Sequence, residues 1–127
     1  AGQLGVITPV SHLDVKDFDL ALAVNLPANS RLIRSMDLLL RQSAAGRAVF
    51  VSSAASHSAQ AYWGAYAASK AGLEALVKSY ADELGITPVK ANVFWPGAVR
   101  TGMRAKAIRS SVRSAPMLPN PPSGICL

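Results

Sequence analysis

Tyr66 and Lys70 stand four residues apart in Tyr66-Ala67-Ala68-Ser69-Lys70, with Ser53 thirteen residues upstream. On a helix, positions i and i+4 share one face, one turn apart, so a phenol and an ammonium are brought together. A free tyrosine titrates at about 10. A neighbouring ammonium favours the phenolate and lowers that value. A phenol tuned in this way donates a proton to a substrate oxygen or takes one from an alcohol. Ser53 would hold the same oxygen by a hydroxyl hydrogen bond. Three tyrosines and five lysines give about 0.12 chance matches to Tyr-x-x-x-Lys, and roughly 0.013 once one of 14 serines must stand at the same distance upstream. The pair alone is weak; the three residues together are a signal.

Each residue also has a plain role. Tyr66 could be a packed helix tyrosine, Lys70 a solvated lysine, and Ser53 a strand-end serine capping a turn, with Ser52 the better candidate for a structural partner. His12 and His57 make no metal pair, because no Cys, carboxylate or second His sits at ligand spacing. A Ser–His hydrolase would need Gly-x-Ser-x-Gly, which is absent. His57 is expected in a loop near the substrate entrance. Tyr62 and Trp63 suit a pocket lining or core packing equally.

The elements that must position these residues follow from periodicity. Asp14 is a good N-cap with Asp17 in the first turn. The stripe Phe18, Leu22, Leu26, Leu32, Met36, Leu39 and Leu40 predicts one helix, kinked at Pro27 where the ring crowds the Ala23 carbonyl, with Asn25 at the kink. Residues 47–53 are short, apolar and β-branched, and predict a strand buried on both faces. A helix is expected over residues 62–84 from Leu73, Leu76, Val77, Tyr80, Ala81 and Leu84. Glu74 and Lys78 are read as an outward i, i+4 pair, and Gly85 as a left-handed cap. A second buried strand is expected over residues 89–95, stopped by Pro96-Gly97. The alternation implies an α/β fold, an incomplete doubly wound parallel sheet. Two strands cannot cover themselves, so the chain reads as a fragment of a larger domain, with Ser53 at the carboxyl end of a strand where ligands bind in such sheets.

The 127 residues bound the chain to one domain, and half of them are hydrophobic. No apolar run is long enough to span a membrane. The first residues carry no basic segment of a secretory signal, and the lone Cys126 allows no internal disulfide. A cytoplasmic setting is the default expectation. Basic and acidic residues balance up to residue 83, so the net charge of +6 lies entirely in residues 84–127. A basic end could attract an anionic partner. No aromatic is interleaved with its arginines after Trp95, so neither a nucleic acid nor a membrane is expected as partner.

The chain resembles the C-terminal half of the short-chain dehydrogenase/reductase family over residues 1–107. The residues that carry the likeness are Ala1-Gly2, Val24-Asn25, Val51-Ser52-Ser53, Tyr66 through Lys70, and Pro96-Gly97-Ala98-Val99-Arg100-Thr101. Tyr62 through Lys70 and Arg100 through Ala105 are similar to a bacterial subgroup of uncharacterised oxidoreductases. The resemblance implies the C-terminal part of a Rossmann-like domain that moves hydride between NAD or NADP and a carbonyl or alcohol. It implies Tyr66 as general acid/base, Lys70 as the group that tunes it and meets the nicotinamide ribose, and Ser53 as the carbonyl-polarising donor. Asn25 would hold, through its main chain, a water linked to Lys70, although local bonding to its own backbone is the alternative. Gly2, Pro96, Gly97 and Thr101 would meet the cofactor, and Thr101 also suits a helix N-cap. A homo-oligomer and a small-molecule substrate are implied as partners. The family's glycine-rich phosphate turn does not occur in this sequence, which leaves NAD against NADP open and allows a second reading, a catalytically inert fragment that serves as an interaction module. Residues 108–127, rich in Ser, Arg and Pro, are expected to form an irregular tail, of the kind a shifted reading frame would produce.

Overall fold

The computed structural model describes residues 2–97 together with 102, 103, 105 and 107. A short 3-10 turn, Val10–His12, precedes α1 (Val15–Asn25) and α2 (Pro27–Gln42). They are followed by β1 (Arg47–Val51), α3 (Ala55–Ser58), α4 (Gly64–Glu83) and β2 (Lys90–Phe94). Asp14 caps α1 as expected: its carboxylate accepts from the Lys16 amide at 2.8 Å. The single kinked helix predicted from the stripe is instead two helices. Leu26 leaves helical geometry (φ −121°, ψ −68°), and Pro27 opens α2 at its first position, where a missing amide costs nothing. Along α2 the inward face follows Leu26 at seven-residue steps. Ile33 and Leu40 turn inward, while Leu32, Met36 and Leu39, assigned to the stripe, are exposed.

β1 and β2 pair in parallel, from Arg47 opposite Lys90 to Val51 opposite Phe94. Alternation along a strand sends successive side chains to opposite faces. Ala48, Phe50, Ala91 and Val93 face Leu26, Ile33, Leu73 and Val77 from the helices. Val49, Val51 and Phe94 lie on the other face, each more than half exposed. The expectation of strands buried on both faces is therefore corrected: among the described residues, helices cover one face only. Two contacts fix the start of the pairing. A side chain on Gly46 would put its first carbon 2.5 Å from the Leu40 carbonyl oxygen, so only glycine allows this turn. Arg47 donates through Nη1 to the carbonyls of Gly46 (2.8 Å) and Pro88 (2.9 Å).

α4 buries Leu73, Val77 and Tyr80 along its length, with Leu84 at its end. Tyr80 donates to Asp37 at 2.8 Å and ties α4 to α2. Burial, with the bond to Asp37, pushes the Tyr80 phenol up to about 12. Two expectations fail on this helix. Glu74 does not pair outward with Lys78; it is 3 % exposed and faces the carboxyl end of β1. Gly85 is not a left-handed cap, since among described glycines only Gly5 and Gly97 have positive φ. The helix closes instead through the Gly85 amide donating to the Asp82 carbonyl at 3.0 Å. No helix among the described residues is long and apolar enough to cross a membrane.

Candidate active site

α4 carries the site. Tyr66, Lys70 and Glu74 recur every four residues, which sets them on one face of the helix, and that face is buried against β1. Lys70 is 4 % exposed and donates through Nζ to the Val51 carbonyl at 2.8 Å. Its ammonium lies 5.9 Å from the centre of the Tyr66 ring. Burial holds the Lys70 amine below its ordinary value, because a charged ammonium loses hydration there. An ammonium has three donors, and among the described residues Lys70 uses one.

Asn25 ends α1 fully buried. Its amide group donates to the Gln3 carbonyl (2.7 Å) and to Ser69 Oγ (2.9 Å), and its Oδ1 accepts from the Gln3 amide (2.8 Å). Ser69 passes the link on to the Tyr66 carbonyl at 2.8 Å. The Asn25 main-chain oxygen accepts from the Asn29 side chain at 2.9 Å, one contact for an oxygen with two lone pairs. The segment so held includes Gly2. A carbon added at Gly2 would stand 3.6 Å from Asn25 Oδ1, 3.8 Å from Lys70 Nζ and 3.8 Å from the Met103 methyl. Gly2, Asn25, Tyr66 and Lys70 therefore meet around one ammonium. Ser69 and Gln3, which complete this clasp, were not singled out in the sequence. A serine beside a motif lysine and a backbone amide carry no distinguishing spacing.

Ser53 sits on the turn after β1, two residues past the carbonyl that holds Lys70. Its Oγ accepts from the Ala55 amide at 3.3 Å, which leaves its hydrogen free to donate. Ala55 packs with Tyr66, Leu4 and Ala107, so the Ser53 turn borders the tyrosine. Trp63 meets Tyr66 edge to face at 5.9 Å, which makes it part of that packing. Tyr62, with φ of 71°, lines a cavity of about 410 Å³ with Val10, Ser56, Gln60, Ala67 and Ala71. Pro96 and Gly97 follow β2 and are exposed. Gly97 has φ of +66° and open space within 4 Å of where a side chain would begin. Thr101 lies outside the described residues.

The residue that sequence reading misplaced is Glu74. Its Oε1 accepts from Ser52 Oγ (2.6 Å), Ser56 Oγ (2.5 Å) and the Trp95 indole (2.8 Å). Its Oε2 lies 3.0 Å from His57 Nε2. Burial pushes the Glu74 carboxyl up, but the bonds from Ser52, Ser56 and Trp95 and the His57 charge outweigh it and leave it below the usual range. His57 is therefore not in a loop. It sits in α3, held by Glu74 and edge to face with Trp95 at 5.1 Å. Ser52 takes the structural role foreseen for it.

This arrangement has relatives. The family model for short chain dehydrogenases matches residues 1–111. The uncharacterised oxidoreductase YciK of Escherichia coli is 38 % identical over 107 residues, which is 84 % of this chain and 42 % of that protein. An NADPH-dependent aldehyde reductase-like protein of Arabidopsis thaliana is 34 % identical over 103 residues, 78 % of this chain and 38 % of the other. A Shigella flexneri structure complexed with NADP superposes with a TM-score of 0.82 at 36 % identity, covering 87 % of this chain and 46 % of that one. The chain thus spans less than half the length of these relatives. The parallel β1-β2 pair, the helix bearing Tyr66 and Lys70, and the match across residues 1–111 place this chain in the short chain dehydrogenase family, with a Rossmann-like α/β fold.

Proposed function

We propose that these residues form the proton-transfer half of an NAD- or NADP-dependent oxidoreductase acting on a carbonyl or alcohol. The observation that carries this is the buried Lys70 ammonium, set beside the Tyr66 ring and next to Gly2. In the reducing direction Tyr66 gives its hydroxyl proton to the substrate oxygen, and in the oxidising direction it takes that proton back. The Ser53 hydroxyl donates to the same oxygen and fixes it. Lys70 stabilises the phenolate that Tyr66 becomes, and its two remaining hydrogens suit ribose hydroxyls. Asn25 holds the first residues of the chain against Lys70 and keeps a main-chain lone pair for a bridging water. The absence of a side chain at Gly2 and at Gly97 suits close approach of a flat ligand, and Pro96 and Thr101 join them through the family likeness. When bound, the nicotinamide supplies or accepts the hydride. The NADP found in the Shigella flexneri relative supports a nicotinamide dinucleotide here.

We take residues 1–107 as the folded unit and a small aldehyde or ketone as substrate. A homo-oligomer belongs to this reading, and the exposed Leu32, Met36, Leu38 and Leu39 of α2 offer an apolar surface for it. The test is NADPH- and NADH-linked turnover over a panel of aldehydes and ketones, wild type against Tyr66→Phe. Loss of about a hundredfold or more in kcat is expected. Wild-type turnover in Tyr66→Phe would remove the assignment.

A further inference from the structure

Glu74 is a buried charge that the proposed chemistry does not use. An apolar side chain at the same place on the α4 stripe would avoid the cost of dehydrating a carboxylate, so stability alone does not account for it. Its partners offer an account. Ser52 adjoins Ser53, and the single hydroxyl hydrogen of Ser56 is shared between Glu74 Oε1 and the Ser53 carbonyl, 2.7 Å away. Trp95 directly precedes Pro96 and Gly97. Glu74 itself stands one helical turn, about 6 Å, beyond Lys70. Three donors from the two strand ends and from α3, with His57 Nε2 3.0 Å from the second oxygen, thus converge on one carboxylate of the helix that bears Tyr66 and Lys70.

We propose that Glu74 is a positioning residue that clamps the Ser53 turn and the Trp95-Pro96-Gly97 segment onto α4, so that hydroxyl donor, cofactor-side loop and Tyr66–Lys70 pair hold one geometry. This rests on the oxidoreductase reading for its purpose, but the clamp itself can be measured without turnover. A carboxylate suits the task because two oxygens accept from several donors at once, and charge-assisted bonds are shorter and stronger than neutral ones. His57 closes the outer side: its Nε2 stands 3.0 Å from Oε2 and its ring meets Trp95 edge to face.

Two variants test it, Glu74→Leu, which removes every acceptor, and Glu74→Gln, which keeps one oxygen. Amide order parameters and kcat are read on both. In Glu74→Leu the Ser53 and Gly97 amides are expected to fall below about 0.6, while Phe50 and Leu73 stay at about 0.85. A kcat loss of about tenfold or more accompanies this, as for a misplaced donor. Glu74→Gln recovers most of both. Unchanged order parameters at Ser53 and Gly97, or loosening spread alike over the whole fold, overturn the clamp. If Glu74→Leu does not fold, single-donor variants decide: Trp95→Phe should loosen Gly97 alone and Ser56→Ala should loosen Ser53 alone, and loosening of neither overturns it. The two readings fail separately. Loosened loops in a protein with no turnover sink the oxidoreductase reading and leave the clamp. Wild-type kcat and rigid loops in Glu74→Leu, with Tyr66→Phe inactive, sink the clamp alone.

Discussion

Lys70 holds its charge where water is nearly excluded, and that has a cost set by pH. Burial lowers its pKa, so the folded protein binds the Lys70 proton less tightly than the unfolded chain does. The penalty is full below the folded value and vanishes as pH rises to the ordinary 10.5; across that window stability increases with pH. Replacing Lys70 by Met should therefore stabilise the protein near pH 7 by about 1 kcal/mol while abolishing turnover, the trade expected at a functional site. Urea denaturation at pH 7 and pH 10 checks this: the advantage of Lys70→Met should shrink at the higher pH, and an advantage that grows would refute it. At this scale the placing of Lys70 beside the Tyr66 ring was legible because residues four apart share one helix face. Glu74 was not, because a glutamate four residues before a lysine reads as a solvated pair until the strand ends above it are known. Asn25 was legible as a position, but its side-chain clasp on Gln3 and Ser69 depends on contacts across 22 and 44 residues that no local pattern encodes.

α4 is the element on which the rest is mounted. Leu73 is 1 % exposed and packs with Phe50 and Val77 between helix and sheet. Leu73→Ala should cost about 3 kcal/mol, a transfer loss plus a cavity that Phe50 cannot fill. Chemical denaturation measures it, and a cost below about 1 kcal/mol would mean the helix does not rest on that contact. The stripe of α4 was readable because it runs unbroken. The region before it was misread for a physical reason. Pro27 does more than kink a helix: it begins a new one, on which Ile33 and Leu40, seven and fourteen residues after Leu26, face the core in place of Leu32, Met36 and Leu39. Gly72 shows why the break is useful. A methyl there would come 3.0 Å from Leu26 Cδ2, so the elbow between α1 and α2 sits directly on α4 and brings Asn25 to Ser69.

Across the described residues, the sheet presents one covered and one open face. Val49, Val51 and Phe94 form an exposed apolar surface of the kind that binds other surfaces or hydrophobic dyes. Val49→Lys combined with Val51→Lys should lower dye binding by about half with far-ultraviolet circular dichroism unchanged. Equal dye binding would place the apolar surface elsewhere, for instance on α2. The parallel pairing was legible from alternation of helices and apolar strands. The open face was not, because a run such as Ala48-Val49-Phe50-Val51 looks alike whether one side is covered or two. The same run has a further consequence. Slipping β1 by one residue would exchange Phe50 for two valines, one apolar set for another, so hydrophobicity hardly penalises a wrong alignment. What forbids the slip is placed at the strand's two ends: Arg47 pegged to Gly46 and Pro88, and Ser52 pegged to Phe94 and Glu74. The frame that sets where Ser53 stands is thus measured by polar anchors at its margins, and the greasy middle merely fills the space between them.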